Sequence, residues 1–442
     1  MNTEFSFHKL IKLLDRIPGN GSCWIAYSGG VDSTVLLHYL QINRDKLGRD
    51  IKAVHVNHKI SKYSDEWAEH CRQTCKAFRV PFELLNIDAA GTEGYGPEAY
   101  ARKLRYEAMH RLLSADEIIL TAHHRDDLAE TFFLQLLRGA GPEGLAGIPK
   151  KRKFGPGWIV RPFLDYTRDQ ILIYADHNKL QWVEDDSNSD TNLDRNFIRN
   201  KVFPYLRQRW PAVDRTLARS AGHQADLLEI ISHSGGIDFY NTMAESVDIL
   251  KIDEFNKLPI ERKRNLLRYW LKLNNKPVAT SAVIDEIINN LVDASYERQP
   301  LVTWKNTEVR RYRDRIYLMH VLPHIDNTVT YAWILPGSLD IKFGRLEARK
   351  TTGKGIKTSS LADNIINVRF RHGGEEIAPV GRKETHKLKT MYQQEGIPPW
   401  ERDRIPLLYI NNELASVTGY WIDRKYHADD NEQGWDIRLV EY

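Results

Sequence analysis

Cysteine is scarce: Cys23, Cys71 and Cys75 are the whole set in 442 residues. Three thiols cannot build a disulfide framework, nor a four-cysteine zinc or iron–sulfur site. No apolar run reaches the roughly 18 residues of a membrane span. The N-terminus, MNTEFSFHKLIKLLDRIPGN, lacks the basic start and unbroken apolar stretch of a signal peptide. Its apolar residues Phe7, Leu10, Ile11, Leu14 and Ile17 recur at helical spacing instead. A dominant charge is missing too: 63 Lys and Arg face 59 Asp and Glu, a net +4. That excludes a polycationic nucleic-acid coat and leaves room for a locally basic face. A reducing, cytoplasmic setting fits these absences.

With 42% hydrophobic and 28% charged residues the chain has ordinary globular composition. Its length suggests about three domains. The first third alternates apolar runs with helix-period segments: Trp24–Tyr27, Ala53–Asn57, Pro81–Ile87 and Glu117–Ala122 read as strands. Thr34–Leu40, Asp65–Phe78, Glu98–Leu113 and Asp127–Leu137 read as helices between them. This alternation predicts a parallel, doubly wound α/β sheet, with a binding site beyond the carboxyl ends of its strands. Lys150–Lys153 reads as a basic loop, followed by a strand over Trp158–Leu164 and a helix over Arg168–Leu180. After Trp210 and Pro211 the pattern turns helical, which puts a boundary near residue 212. A β-rich stretch begins near Leu301, and Thr351–Ser360 reads as a polar loop. The expected division is 1–212, 213–325 and 326–442.

The strongest local signal is SGGVDS, Ser28–Ser33, between a strand and a helix. Paired glycines allow a tight turn and close approach to an anion. The helix N-terminus then offers free N–H groups to phosphate. Asp32 would repel phosphate unless Mg²⁺ bridges the two. The loop is neither a Walker A nor a GxGxxG sequence; the plain alternative is a capped glycine turn.

Three further clusters fall at other strand ends. In EAYARKLRY, Glu98, Arg102, Arg105 and Tyr106 share one helical face, as a phosphate and amine grip or as an exposed salt-bridge ladder. TAHHRDDLAET, Thr121–Thr131, puts His123, His124, Asp126, Asp127 and Glu130 at a strand-to-helix junction. Capping explains one aspartate but not both, and the adjacent histidines lack the spacing of a helix-borne zinc pair. EDDSNSDTNLDRNFIRN, Glu184–Asn200, turns from acidic to basic, with Arg195 and Arg199 one helical turn apart. It reads as a phosphate contact or as a solvated loop. Cys71 and Cys75, also one turn apart, read as packing residues.

SGGVDS resembles the pyrophosphate loop of the N-type ATP pyrophosphatases. Taken with VHVNH (Val54–His58), EAYARKLRY, TAHHRDDLAET, LLRGAGPEGLAGI, RPFL, EDDSN…RNFIR and the segment Arg371–Asp423, the chain is similar to the bacterial tRNA(Ile)-lysidine synthetases over most of its length. The resemblance implies an adenine nucleotide alpha hydrolase-like catalytic domain, a helical tRNA-binding middle domain and a small α+β domain that reads the acceptor stem.

It also implies a reaction. ATP adenylates the C2 oxygen of the wobble cytidine in tRNA(Ile) with a CAU anticodon, and free L-lysine then displaces AMP to give lysidine. The tRNA changes from methionine to isoleucine identity. The implied ATP site is Ser28, Gly29, Gly30, Val31, Asp32 and Ser33 with Arg102 and His123, and Asp32 is the implied Mg²⁺ ligand. Asp32, Asp126, Asp127 and Arg195 are the implied catalytic set. Glu98, Arg105, Glu130, Asn196, Arg199, Arg371 and Lys387 are the implied substrate contacts. Either Asp126 or Asp127 is expected to hold lysine, and the Arg369–Lys389 region to meet tRNA. A homodimer is compatible; DNA and membrane partners are not expected. A PP-loop tRNA sulfur transferase is the alternative enzyme, but it normally uses paired cysteines, and no C-x-x-C spacing is present. A tRNA-binding protein without catalysis is the alternative of another class.

Overall fold

The computed structural model describes residues 5–15, 17–59, 61, 63–88, 97–184, 189–294, 300–361 and 365–441. The chain forms two compact units, Met1–Ser234 and Gly235–Tyr442. The division falls inside the helix Val213–Thr242.

The first unit is built on six strands: β1 (Cys23–Ala26), β2 (Ile51–Asn57), β3 (Phe82–Asn86), β4 (Ile118–Leu120), β5 (Lys151–Phe154) and β6 (Gly157–Val160). Their order is β3-β2-β1-β4-β6-β5. All neighbours run parallel except β5, which pairs antiparallel with β6. Side chains alternate between two apolar layers, as the period of a strand requires. Cys23, Ile25, Ile118, Leu120 and Val160 join the larger core with Val35, Leu36, Leu37 and Leu40. Trp24, Ile119 and Ile159 join a smaller core with Met109 and Leu113. A parallel sheet covered on both faces needs such apolar strands, and this is the doubly wound fold expected from the strand–helix alternation.

Two segments differ from the sequence reading. Lys150–Lys153 is not a loop: Lys151–Phe154 is an edge strand, in register from Lys151 opposite Val160 to Phe154 opposite Gly157. Edge strands tolerate and favour charge, so four basic residues conceal the pairing. β6 stops at Val160 rather than Leu164, where Pro162 has no N–H to donate.

In the second unit the helix Ile260–Leu273 buries Leu266, Leu267, Trp270 and Leu271. It shares a core with an antiparallel sheet ordered Ile249–Lys251, Arg315–His320, Thr307–Tyr312 and Leu301–Trp304. Among the described residues three more antiparallel sheets follow, of five, four and two strands. Thr351–Ser360 is partly sheet rather than loop. The strand Gly344–Thr352 pairs along Gln433–Glu441, which Ile356–Lys357 also joins. A long partner strand supplies the register that polar composition hides. Among the described residues no helix is long and apolar enough to cross a membrane.

Candidate functional site

The strand order reverses between β1 and β4, so the loops after these strands diverge and leave a crevice at their carboxyl ends. Ser28–Ser33 leaves β1. Gly29 has φ +85°, and a Cβ there would lie 3.0 Å from Cys71 Sγ. Gly30 precedes the helix Val31–Ile42. Val31 is buried in the core, so its backbone is what it offers the crevice. Ser33 Oγ donates to Gly30 O at 3.0 Å. That spends its one proton, so in the 3.0 Å contact between Ser28 and Ser33 hydroxyls the donor is Ser28. Thr34 Oγ1 also donates to Gly30 O, at 3.0 Å. The loop is thus braced by its own hydroxyls, with the first-turn N–H groups left for an anion.

Asp32 stands in that first turn. Burial pushes its carboxyl pKa up and Asp127 adds to this, against His124, Arg168 and Arg199. Its Oδ1 is buried without a hydrogen-bond partner. His124, 2% exposed, has Nε2 3.8 Å from Asp32 Oδ2 and 3.5 Å from Asp127 Oδ2. Burial opposes charge on His124, but Asp127, Asp126 and Asp32 outweigh it and raise its pKa.

The loop after β4 leads into the helix Arg125–Leu137, with His124 at its N-cap. Asp127 Oδ2 accepts the His124 N–H at 3.0 Å, closing a capping box. Its Oδ1 receives Arg195 at 2.7 Å and Arg199 at 3.0 Å. Burial opposes ionisation, yet His124 and Arg195 hold the Asp127 carboxyl well below the usual range. Glu130, 1% exposed, takes Arg195 Nε at 2.9 Å and Arg199 Nε at 2.6 Å. Asp126 is turned to other work. It accepts the Arg168 N–H at 3.0 Å, at the start of the helix Arg168–His177, and pairs with Arg207 at 3.0 Å.

A cleft of about 970 Å³ collects Ser28, Gly30, Asp32, Ser33, His123, Asp127, Arg195, Asn196 and Arg199. Arg102, Arg105 and Tyr106 line it from the helix Pro97–Leu112. Asp126 and Glu130 are not in its lining. The Glu98 side chain lies outside the described residues. His123 Nδ1 is 2.8 Å from Thr121 Oγ1. Burial, then Arg161, Arg195 and Arg102, lower its pKa to about 3 in spite of Asp127, so it is neutral at pH 7.

Sequence reasoning passed over several members of the cleft as individuals. His55 Nδ1 donates to Tyr27 O at 2.9 Å. His58 is lowered to about 4 by burial, Arg105 and His55. Both lie in the VHVNH stretch, whose position at a strand's carboxyl end was the available signal. His124 was seen only as half of a poor zinc pair.

Among the described residues no group of three or more His, Cys, Asp or Glu could cage a metal ion. A Mg²⁺ held by one carboxylate and phosphate oxygens needs no such cage, and the unpartnered Asp32 Oδ1 fits that use. The thiols of Cys23, Cys71 and Cys75 are all buried, and burial pushes each up to about 12.

In the second unit, Arg371 lines a separate polar cleft of about 540 Å³ with Arg310, Arg404 and Trp400. Arg371 is paired to Asp403 at 3.2 Å. Lys387 is exposed at the start of the helix Leu388–Gln394. Leu266 and Trp270 are fully buried and Tyr269 packs against the same core, so these three serve packing.

The PP-loop domain family matches residues 2–206. The TilS substrate binding domain matches 250–317, and the TilS substrate C-terminal domain matches 366–439. A tRNA(Ile)-lysidine synthase of Coxiella burnetii is 39% identical over 437 residues, 98% of this chain and 97% of its own. One from Methylococcus capsulatus is 37% identical, covering 91% and 92%, and one from Pectobacterium atrosepticum is 34% identical, covering 98% of both. With identity at this level along nearly the whole of both chains, and a PP-loop domain match that contains Ser28–Ser33, the chain belongs to the tRNA(Ile)-lysidine synthase family.

Proposed function

We propose that the cleft activates the wobble cytidine of tRNA(Ile) with a CAU anticodon and joins it to free L-lysine. The observation that carries this reading is one cleft that unites the phosphate loop, the unpartnered Asp32 Oδ1 and the Asp127–Arg195–Arg199 wall. In the first half-reaction the cytosine C2 oxygen forms a bond to the α-phosphorus of ATP, and the bond to pyrophosphate breaks. The Ser28–Ser33 backbone holds the departing phosphates, and Arg102 supplies charge from the opposite wall. Asp32 would hold Mg²⁺, which supplies neutralisation of the phosphate charge. In the second half-reaction the lysine ε-nitrogen bonds to C2 and AMP leaves with the former base oxygen.

Free lysine has a side-chain pKa near 10.4, so its ammonium must be oriented and lose a proton. Besides Asp32, Asp127 is the one carboxylate among the described residues that lines the cleft. Its depressed pKa makes it a poor proton acceptor and a good electrostatic anchor. The proton therefore passes to water or to phosphate. Asp126 and Glu130 serve as supports: neither lines the cleft, and Arg168 and Arg207 bind the first while Arg195 and Arg199 bind the second. Neutral His123 offers a hydrogen-bonding edge to a base. Burying the cytosine requires it to leave its stack, which a single-stranded loop permits at low cost. Thiolation has no support from cysteines that are buried and held protonated.

The test is incubation with ATP, radiolabelled lysine and total bacterial tRNA. Label enters tRNA(Ile) only when ATP is present. Absence of label, or label without ATP, contradicts the proposal.

A further inference from the structure

The basic run Lys150–Lys153 has no part in the reaction described so far. As β5 it presents alternate residues to opposite faces. Lys151 and Lys153 lie over the Trp158 ring, at 5.7 and 4.5 Å. Arg152 instead lines a pocket of about 440 Å³ together with Arg102, Lys103, Tyr106, Thr131 and Arg161. Among the described residues no carboxylate lines this pocket, against four cationic side chains.

Arg161 is the least expected of the four. It is 4% exposed, and its Nε is buried with no hydrogen-bond partner, while one terminal nitrogen donates to Pro149 O at 2.8 Å. Burial lowers its pKa, and Arg152 and Arg102 add to this against Tyr106. A desolvated guanidinium beside further cations is costly unless an anion joins them. Arginine's planar fork suits phosphate oxygens.

The pocket's position limits what that anion is. It shares Arg102 and Tyr106 with the large cleft, yet includes no residue of Ser28–Ser33. The phosphates of ATP have their own loop. A nucleotide whose base enters the cleft leaves its backbone phosphates just outside it.

We propose that this pocket is a second phosphate site, for an internucleotide phosphate of the RNA strand whose base reacts in the cleft. It rests on the reaction proposed above. Released pyrophosphate shares the chemistry and is the competing source.

The test uses the full chain with Arg152→Gln and Arg161→Gln. Steady-state constants are measured for tRNA and ATP, with inhibition by added pyrophosphate. The tRNA KM rises about tenfold in each variant, and its log–log salt slope falls by about one for each charge removed. The ATP KM and the pyrophosphate inhibition stay within about twofold, a ratio well below one kcal/mol. A neutral methylphosphonate at the linkage flanking the wobble cytidine weakens the wild type but not Arg152→Gln. Unchanged tRNA KM overturns the proposal, and so does weakened pyrophosphate inhibition with unchanged tRNA KM. Should Arg161→Gln unfold, Arg152→Gln on the exposed edge strand decides alone. If the wild type binds tRNA but adds no lysine, the proposed reaction fails. The salt slope of tRNA binding, measured apart from turnover, still decides the pocket.

Discussion

Asp126 and Asp127 are chemically identical neighbours, and the fold gives them different surroundings. Asp126 sits on the N–H of Arg168 at the start of a helix and on Arg207. Asp126→Asn should therefore cost about 1–2 kcal/mol of stability, from a lost charge–dipole contact and ion pair, with kcat kept within a few-fold. Asp127→Asn should lower kcat by about a hundredfold or more, since the lysine anchor is gone. Thermal unfolding and single-turnover assays check this ordering, and the reverse ordering would assign lysine to Asp126. Histidines give a second prediction at this scale. Burial holds His58 at about 4 and His123 at about 3. An unfolded histidine binds its proton near pH 6.5. The folded forms stay neutral there, so their contribution to stability is present above about pH 6.5 and is lost as pH falls toward those lower values. His124, raised by its three aspartates, runs the other way and loses its contribution as pH rises through its elevated pKa. The melting temperature should thus begin to fall below about pH 6.5, above the ordinary carboxylate range. His58→Gln should flatten that slope; identical slopes would contradict the burial account.

At the scale of elements, the phosphate loop works because one glycine has a left-handed backbone beside a cysteine sulfur. Gly29→Ala combines φ +85° with a Cβ 3.0 Å from Cys71 Sγ. It should cost about 1–2 kcal/mol and weaken nucleotide binding at least about tenfold, read by calorimetry and ATP titration. Arg195→Lys keeps the charge and loses the fork that spans Asp127 and Glu130. With buried Glu130 left partly unpaired, the loss should approach about 3 kcal/mol. Much of this level was legible. Strand–helix alternation announced the sheet, and Ser28–Ser33 declared itself because a phosphate loop is local in sequence. Pairings across distance were not. Arg195 and Arg199 one turn apart suggested an anion, but Asp127 and Glu130, which they pair with, lie far back in the chain. Nothing in DDLAE separates the aspartate of the cleft from the one that caps another helix. β5 was hidden because its three basic residues mask a pairing that only β6 reveals.

Across the whole molecule, both compact units carry a cationic cleft. The nucleotide cleft is in Met1–Ser234, while Arg371, Arg310 and Arg404 share their own cleft in Gly235–Tyr442. Asp32→Ala should abolish AMP formation and leave tRNA affinity within about twofold, because phosphate contacts spread over the chain dominate binding. Equal loss of both would contradict a role confined to the nucleotide. The central claim is that the cytosine oxygen attacks ATP and is carried off in the product. The direct measurement is mass spectrometry of AMP after turnover with tRNA whose wobble cytidine carries heavy oxygen at C2. The account predicts the heavy atom in AMP, with none in pyrophosphate and none left on the modified base. Heavy oxygen retained in the RNA, or AMP released unlabelled while lysine is incorporated, would contradict it.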